Sequence, residues 1–167
     1  MFNCPNARHR PHRGFTFIEI MLVLLLFSIL LLFALPSWQE QAVRRQVREA
    51  LAMINDIKTL ESQHYRLTNS FPVDNASAGL PASDKFVGLY VREIRVENGA
   101  IHIAFGNRGH ARLQKQILSL RPAIVLGEPL VPIAWICGRS RIPDGMTTVG
   151  TDRTTLPNLL LPLDCRG

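Results

Sequence analysis

The sequence predicts an α+β fold: a long N-terminal helix whose second half packs on a roughly four-stranded antiparallel sheet. Two observations carry this. Apolar residues recur every three or four positions from Val43 to Leu60, directly after an unbroken apolar run. Downstream, short alternating segments are separated by turn residues, and connections that short cannot join parallel neighbours.

The helix begins in the apolar run. Phe15 to Leu35 is 21 residues with a single charge, Glu19. At 1.5 Å per residue such a helix is about 30 Å long, enough to cross a bilayer core. A carboxylate inside it costs roughly 2.5–3.5 kcal/mol at the centre and less toward the interface, so it marks a functional residue whose partner must be sought. A basic start before an apolar run is also how a signal peptide or signal anchor reads. A secretory apolar region, however, is about 7–15 residues long and ends in a small-residue cleavage site. Pro36 follows the run and removes one helix hydrogen bond, which predicts a bend. Beyond it Val43, Val47, Ala50, Ile54, Ile57 and Leu60 form an apolar stripe, with Arg44, Arg45, Arg48, Glu49, Lys58 and Glu61 between them. One helix is therefore expected from about Phe15 to about Leu67.

Asn69-Ser70-Phe71-Pro72, Asp74-Asn75 and Gly79-Leu80-Pro81 end the helical pattern with turn chemistry. Tyr90 to Val96 reads as a first strand, with Ile94 and Val96 on one face and Arg95 and Glu97 on the other. Asn98-Gly99 is a strong hairpin signal, since both residues tolerate positive φ. Ile101, Ile103 and Phe105 alternate with His102 and Ala104 in the return strand. Ile117 to Leu120 and Ile133 to Cys137 supply the third and fourth strands.

The run Arg13-Gly14-Phe15-Thr16-Phe17-Ile18-Glu19 resembles the N-terminal signature of type IV pilins and pseudopilins. The head carries further likenesses to major pilins: Phe86 to Val91, the Asn98-Gly99 hairpin, Leu118 to Pro122, Trp135-x-Cys137, and Leu161-Pro162 before Cys165. The resemblance implies a type IV pilin fold with a C-terminal disulfide-bounded loop. It implies cleavage by a prepilin peptidase between Gly14 and Phe15, N-methylation of Phe15, and an assembly role for Glu19, paired with the free N-terminal amine of a neighbouring subunit. Pro36 matches a proline at the same distance from the cleavage site in many pilins. The partners implied are other pilin subunits, the peptidase, the inner-membrane assembly machinery and the membrane itself. The location implied is the inner membrane, leader cytoplasmic and head periplasmic, and then the filament. Such filaments serve adhesion, twitching motility or DNA uptake.

The cysteines divide accordingly. Cys4 falls in the leader, leaving Cys137 and Cys165 as an even pair in a domain expected to face an oxidising compartment. A bridge between them closes a loop with few apolar residues in any regular period and several Pro and Gly. Two free buried cysteines are the alternative; a metal site lacks histidines at ligand spacing.

The net charge is +6, and Arg8, Arg10 and Arg13 of the leader account for half of it. Arg44, Arg45 and Arg48 follow the span closely, so Lys and Arg counts do not set the orientation. No nucleophile elbow, zinc-protease helix or phosphate loop is present, no cofactor is implied, and His64, His102 and His110 are scattered; an enzyme is not expected. The head's arginines are interleaved with Glu93, Glu97, Asp144 and Asp152 and lack an aromatic ladder, so DNA binding is possible but not favoured.

The chain thus divides into a basic leader (1–14), a helix with membrane (15–35) and amphipathic (36–67) portions, and a head (68–167). The span is rich in Leu where major pilins use Ile, Val, Ala and Gly, which points to a minor or accessory subunit. The alternatives are a type II secretion pseudopilin and a membrane-anchored binding module that never polymerises. Gly14→Val should leave a precursor heavier by the leader, because a Cβ obstructs close approach to the backbone; mass spectrometry showing another mature N-terminus would refute the assignment.

Overall fold

The computed structural model describes residues 15–167, except the side chains of residues 34–37. Contacts divide the chain into two units, Met1–Trp38 and Gln39–Gly167. Helix α1 (Phe17–Met53) is assigned without interruption through Pro36. The expected bend there falls on a residue outside the described side chains. A break at Ile54, which the sequence did not suggest, separates α1 from α2 (Asn55–Thr68). Asn69 then takes a left-handed conformation and donates its N–H to the Tyr65 carbonyl, closing α2.

Within the second unit the sheet is antiparallel: β1 (Val91–Glu97), β2 (Ala100–Phe105), β3 (Ile117–Ile124) and β4 (Ala134–Cys137), in that order. A two-residue strand, β5 (Thr147–Thr148), pairs with the far end of β3 and was not anticipated. Asn98 (φ 49°) and Gly99 (φ 78°) form the β1–β2 turn as expected. A Cβ on Gly99 would stand 2.7 Å from Phe71, whose ring stacks on Tyr65 with centroids 4.5 Å apart. That contact fixes the hairpin against the end of α2. Strand β3 runs four residues past its expected end, paired with β4 and β5, and the Pro122 carbonyl accepts the Val149 N–H at 2.9 Å.

The core lies between the helix and the inner face of the sheet. Val43, Val47, Ala50, Ile54 and Ile57 pack with Ile94, Val96, Ile101, Ile103, Phe105, Leu118 and Leu120. Register explains the pattern: Val96 faces Ile101, Ile94 faces Ile103, and Ile101 faces Leu120. The free edge of β1 is occupied by a side chain. Asn75 accepts the Val96 N–H through Oδ1 (2.7 Å) and donates through Nδ2 to the carbonyls of Ile94 and Pro81 (3.1 Å each).

Two expectations fail in this core. Leu60 is 42% exposed, whereas Glu61 is fully buried. Continuing the stripe of positions 43, 47, 50, 54 and 57 at 3.6 residues per turn reaches 61 and then Tyr65, so geometry selects Glu61 over the apolar Leu60. His102 is buried on the other face of β2, where Ala100 and Ala104 are buried too. That face is covered by the C-terminal arm rather than by solvent.

Neither oxygen of Glu61 finds a hydrogen bond among the described residues, and burial pushes its carboxyl up to about 8. Between about pH 4.5 and 8 the folded chain holds a proton that the unfolded chain has released. Stability should therefore fall as pH rises through that window, with a slope approaching about 1.4 kcal/mol per pH unit. Glu61→Leu in the full chain in detergent should raise the melting temperature at pH 7.5 and flatten this slope. Parallel slopes for the two proteins would count against a neutral buried Glu61.

Candidate functional site

The first turn of α1 holds the residues singled out by the N-terminal motif. The Thr16 carbonyl accepts the N–H groups of Glu19 (3.1 Å) and Ile20 (3.3 Å), which sets the helix start. Glu19 stands in that turn, where the positive end of the helix dipole favours a carboxylate. It is exposed, and among the described residues no cation pairs with it. Phe15 is exposed as well; Gly14 lies outside the described residues.

The surface beyond Glu19 is apolar on every side. Phe17, Ile18 and the residues from Ile20 to Phe33 are exposed, and the one polar side chain among the latter, Ser28, donates its hydroxyl to the Leu25 carbonyl at 2.7 Å. No part of the most apolar 18-residue stretch is buried within the chain. A helix apolar all round has to be covered by lipid or by other helices. The arrangement is chemically inert apart from one acid, so what it can do is bind.

At the other end of the chain, Cys137 and Cys165 are bonded to each other, with Cα atoms 4.6 Å apart. Gly138 makes the closure possible: its φ is +57°, and a Cβ there would stand 3.0 Å from the Cys165 carbonyl. The enclosed segment is better anchored than its composition suggested. Leu156, Leu160 and Leu161 are buried. Thr155 exchanges two hydrogen bonds with Ile117, its N–H to the Ile117 carbonyl (3.0 Å) and its hydroxyl accepting the Ile117 N–H (2.9 Å). The Arg139 guanidinium spans the carbonyls of Thr154 (3.3 Å) and Leu156 (3.4 Å). Arg44 on α1 donates to the Leu159 carbonyl (3.0 Å), tying the segment to the helix.

Of the predicted residues, the structure joins the two cysteines and leaves Glu19 without a partner among the described residues. Sequence reasoning missed Asn75 and His102. Asn75 reads as one of several turn residues, and only its placement beside a strand edge gives its amide a second use. A signal for His102 did exist, since it alternates with Ile101 and Ile103 in a strand that has a neighbour on each side.

Comparisons with known proteins agree with this layout. A family model described as pilin, a bacterial filament protein, matches residues 43–166, and a prokaryotic N-terminal methylation motif matches residues 9–35. The chain is 32% identical over 160 residues to a type IV major pilin protein of Neisseria gonorrhoeae, covering 92% of this chain and 87% of that one. It is 28% identical over 142 residues to a fimbrial protein of Neisseria meningitidis serogroup B, covering 85% and 82%. It is 34% identical over 112 residues to a fimbrial protein of Eikenella corrodens, covering 65% and 73%.

The disulfide separates its cysteines by 28 positions. Replacing both with Ser should lower the stability of the full chain by roughly 3–4 kcal/mol on chain entropy alone. Thermal melts of the two proteins in the same detergent measure this. An unchanged melting temperature would place the hold on residues 138–164 in burial and hydrogen bonds instead.

Proposed function

This chain belongs to the pilin family of bacterial filament proteins, and from that premise we propose that it is a structural, non-catalytic subunit of a type IV pilus. The observation that carries the reading is the uncovered apolar helix with one carboxylate in its first turn. A monomer must keep that surface in the membrane, and a filament can bury it among the same helices of its neighbours. In this proposal the leader is cytoplasmic and the head periplasmic before assembly. A prepilin peptidase cuts between Gly14 and Phe15, the new amine of Phe15 is methylated, and the inner-membrane machinery loads the subunit into the filament.

Glu19 then gains its partner. The methylated amine of a neighbouring Phe15 stays cationic and pairs with the Glu19 carboxylate in apolar surroundings. An acid that is costly in lipid becomes satisfied only when two subunits sit in the correct stagger. The pairing therefore sets axial position as well as contributing energy.

Within the filament we assign the chain an accessory position. The Leu-rich span supports it: bulky side chains hold helices apart where Gly and Ala would allow close approach. The Neisseria gonorrhoeae relative is named a major pilin, which favours the bulk position. The copy number of this chain in sheared filaments distinguishes the two, an accessory subunit being far outnumbered by another pilin.

Glu19→Val and Glu19→Gln test the central claim. Both should leave insertion and cleavage after Gly14 largely intact and deplete the sheared-filament pool. Gln should fail alongside Val, since it restores polarity without charge. Wild-type incorporation of both variants would end the assembly role of Glu19.

A further inference from the structure

On the outer face of the sheet, away from the helix, four residues close a ring. The Arg153 backbone N–H donates to Ser119 Oγ at 2.9 Å. Ser119 Oγ lies 2.8 Å from His102 Nδ1. His102 Nε2 faces Glu97 Oε2 at 3.9 Å, and Glu97 Oε1 accepts from Arg153 Nη2 at 2.6 Å. The ring thus leaves Arg153 through its backbone and returns through its guanidinium. It links the C-terminal arm to β3, β2 and β1 in turn.

The carboxylate of Glu97 decides the tautomer. Nε2 faces the acceptor-only carboxylate of Glu97, so the neutral tautomer is assigned with its proton on Nε2, which leaves Nδ1 to accept the Ser119 O–H while the Ser119 oxygen accepts from Arg153. Both Nε2 and Glu97 Oε2 are buried without a hydrogen bond. Protonating Nδ1 would take away the acceptor of the Ser119 O–H. Ser119 is completely buried, so that hydroxyl would be left unpaired, a costly state. The added charge would also arise beside the Arg153 guanidinium.

We propose that His102 is a proton-operated latch: neutral, it holds arm residues 150–156 on the outer face of the sheet; protonated, it releases them, while the Cys137–Cys165 bond keeps the arm attached. The groups facing it are Glu93, Arg95 and Glu97 from β1, Ser119 from β3, and Asp152 and Arg153 from the arm. Burial holds His102 below its ordinary value, helped by Arg153 and resisted by Glu97 and Asp152, with Arg95 adding a smaller downward push. A histidine held low in the folded state binds fewer protons there than when released. The hold is therefore complete above about pH 6.5 and weakens as pH falls. Arg153 and Glu97 also line a cavity of about 530 Å³ with Asp74, Asn75, Ser83 and Arg95, so opening the latch reshapes the outer surface of the head.

Hydrogen exchange on the full chain in detergent tests this, read as protection factors at pH 7.5 and pH 5. Protection at Arg153, Thr155 and Ser119 should fall about tenfold or more, one pH unit of differential proton binding being a tenfold factor. Protection at Ile103 in the core should hold. His102→Gln, which keeps an acceptor for Ser119 but cannot gain a proton, should show no such fall. Equal protection at both pH values in the wild type, an equal fall in the Gln variant, or loss at Ile103 together with the arm would each overturn the latch. Independently of any variant, side-chain NMR of His102 should give a midpoint below 6.5, and a midpoint above it would overturn the proposal as well.

Discussion

Everything in the head depends on one line of contact, the apolar stripe of the helix lying along the inner face of the sheet. Val43, Val47, Ala50, Ile54 and Ile57 are essentially inaccessible, and so are Ile94, Ile101, Ile103 and Leu118 opposite them. A helix and a sheet each have one apolar face that must find another, and here each supplies the other's cover. The disulfide, the Asn75 amide and the arm hydrogen bonds act at the margins of this layer. They determine how the periphery is held; the layer determines that there is a head at all. Glu61 stands inside that contact, and its acid is accommodated only with its proton on.

The first unit obeys the opposite rule. Its apolar residues have no inner face, because Phe17 through Phe33 point outward all round the helix. The same covalent helix therefore carries two kinds of apolar surface. One is buried within the second unit, the other is exposed among the described residues of the first. That division matches the matched regions, the methylation motif ending at residue 35 and the pilin model beginning at residue 43.

Much of this was legible in the residues. The span, the amphipathic stripe, the Asn98-Gly99 turn and the order of four antiparallel strands all follow from periodicity and turn chemistry, which are local. What escaped was mostly non-local. The exception is Leu60, the next apolar residue after Ile57, where the angle around the helix leads instead to Glu61. Strand β3 reads as ending at Leu120, yet it continues to Ile124 because β4 and β5, distant in sequence, pair with it there. The alternation in β2 puts His102 on the outer face, but the arm that covers it lies some fifty residues later. For the candidate site, Glu19 and the cysteines were visible as chemical exceptions in their surroundings, whereas a partner on another chain is beyond the reach of any one sequence.

The side chain of Asn75 has a bearing on polymerisation itself. A strand edge with free N–H and C=O groups is an invitation to another strand, and unregulated growth by strand addition is the usual result. Asn75 answers for Val96 and Ile94 with its own amide, so that stretch of β1 has nothing left to offer a stranger. A protein whose purpose is to form fibres thus has a closed route to the fibre that sheets form by accident. The surface left open for contact is the helix of the first unit, largely apolar along its described residues.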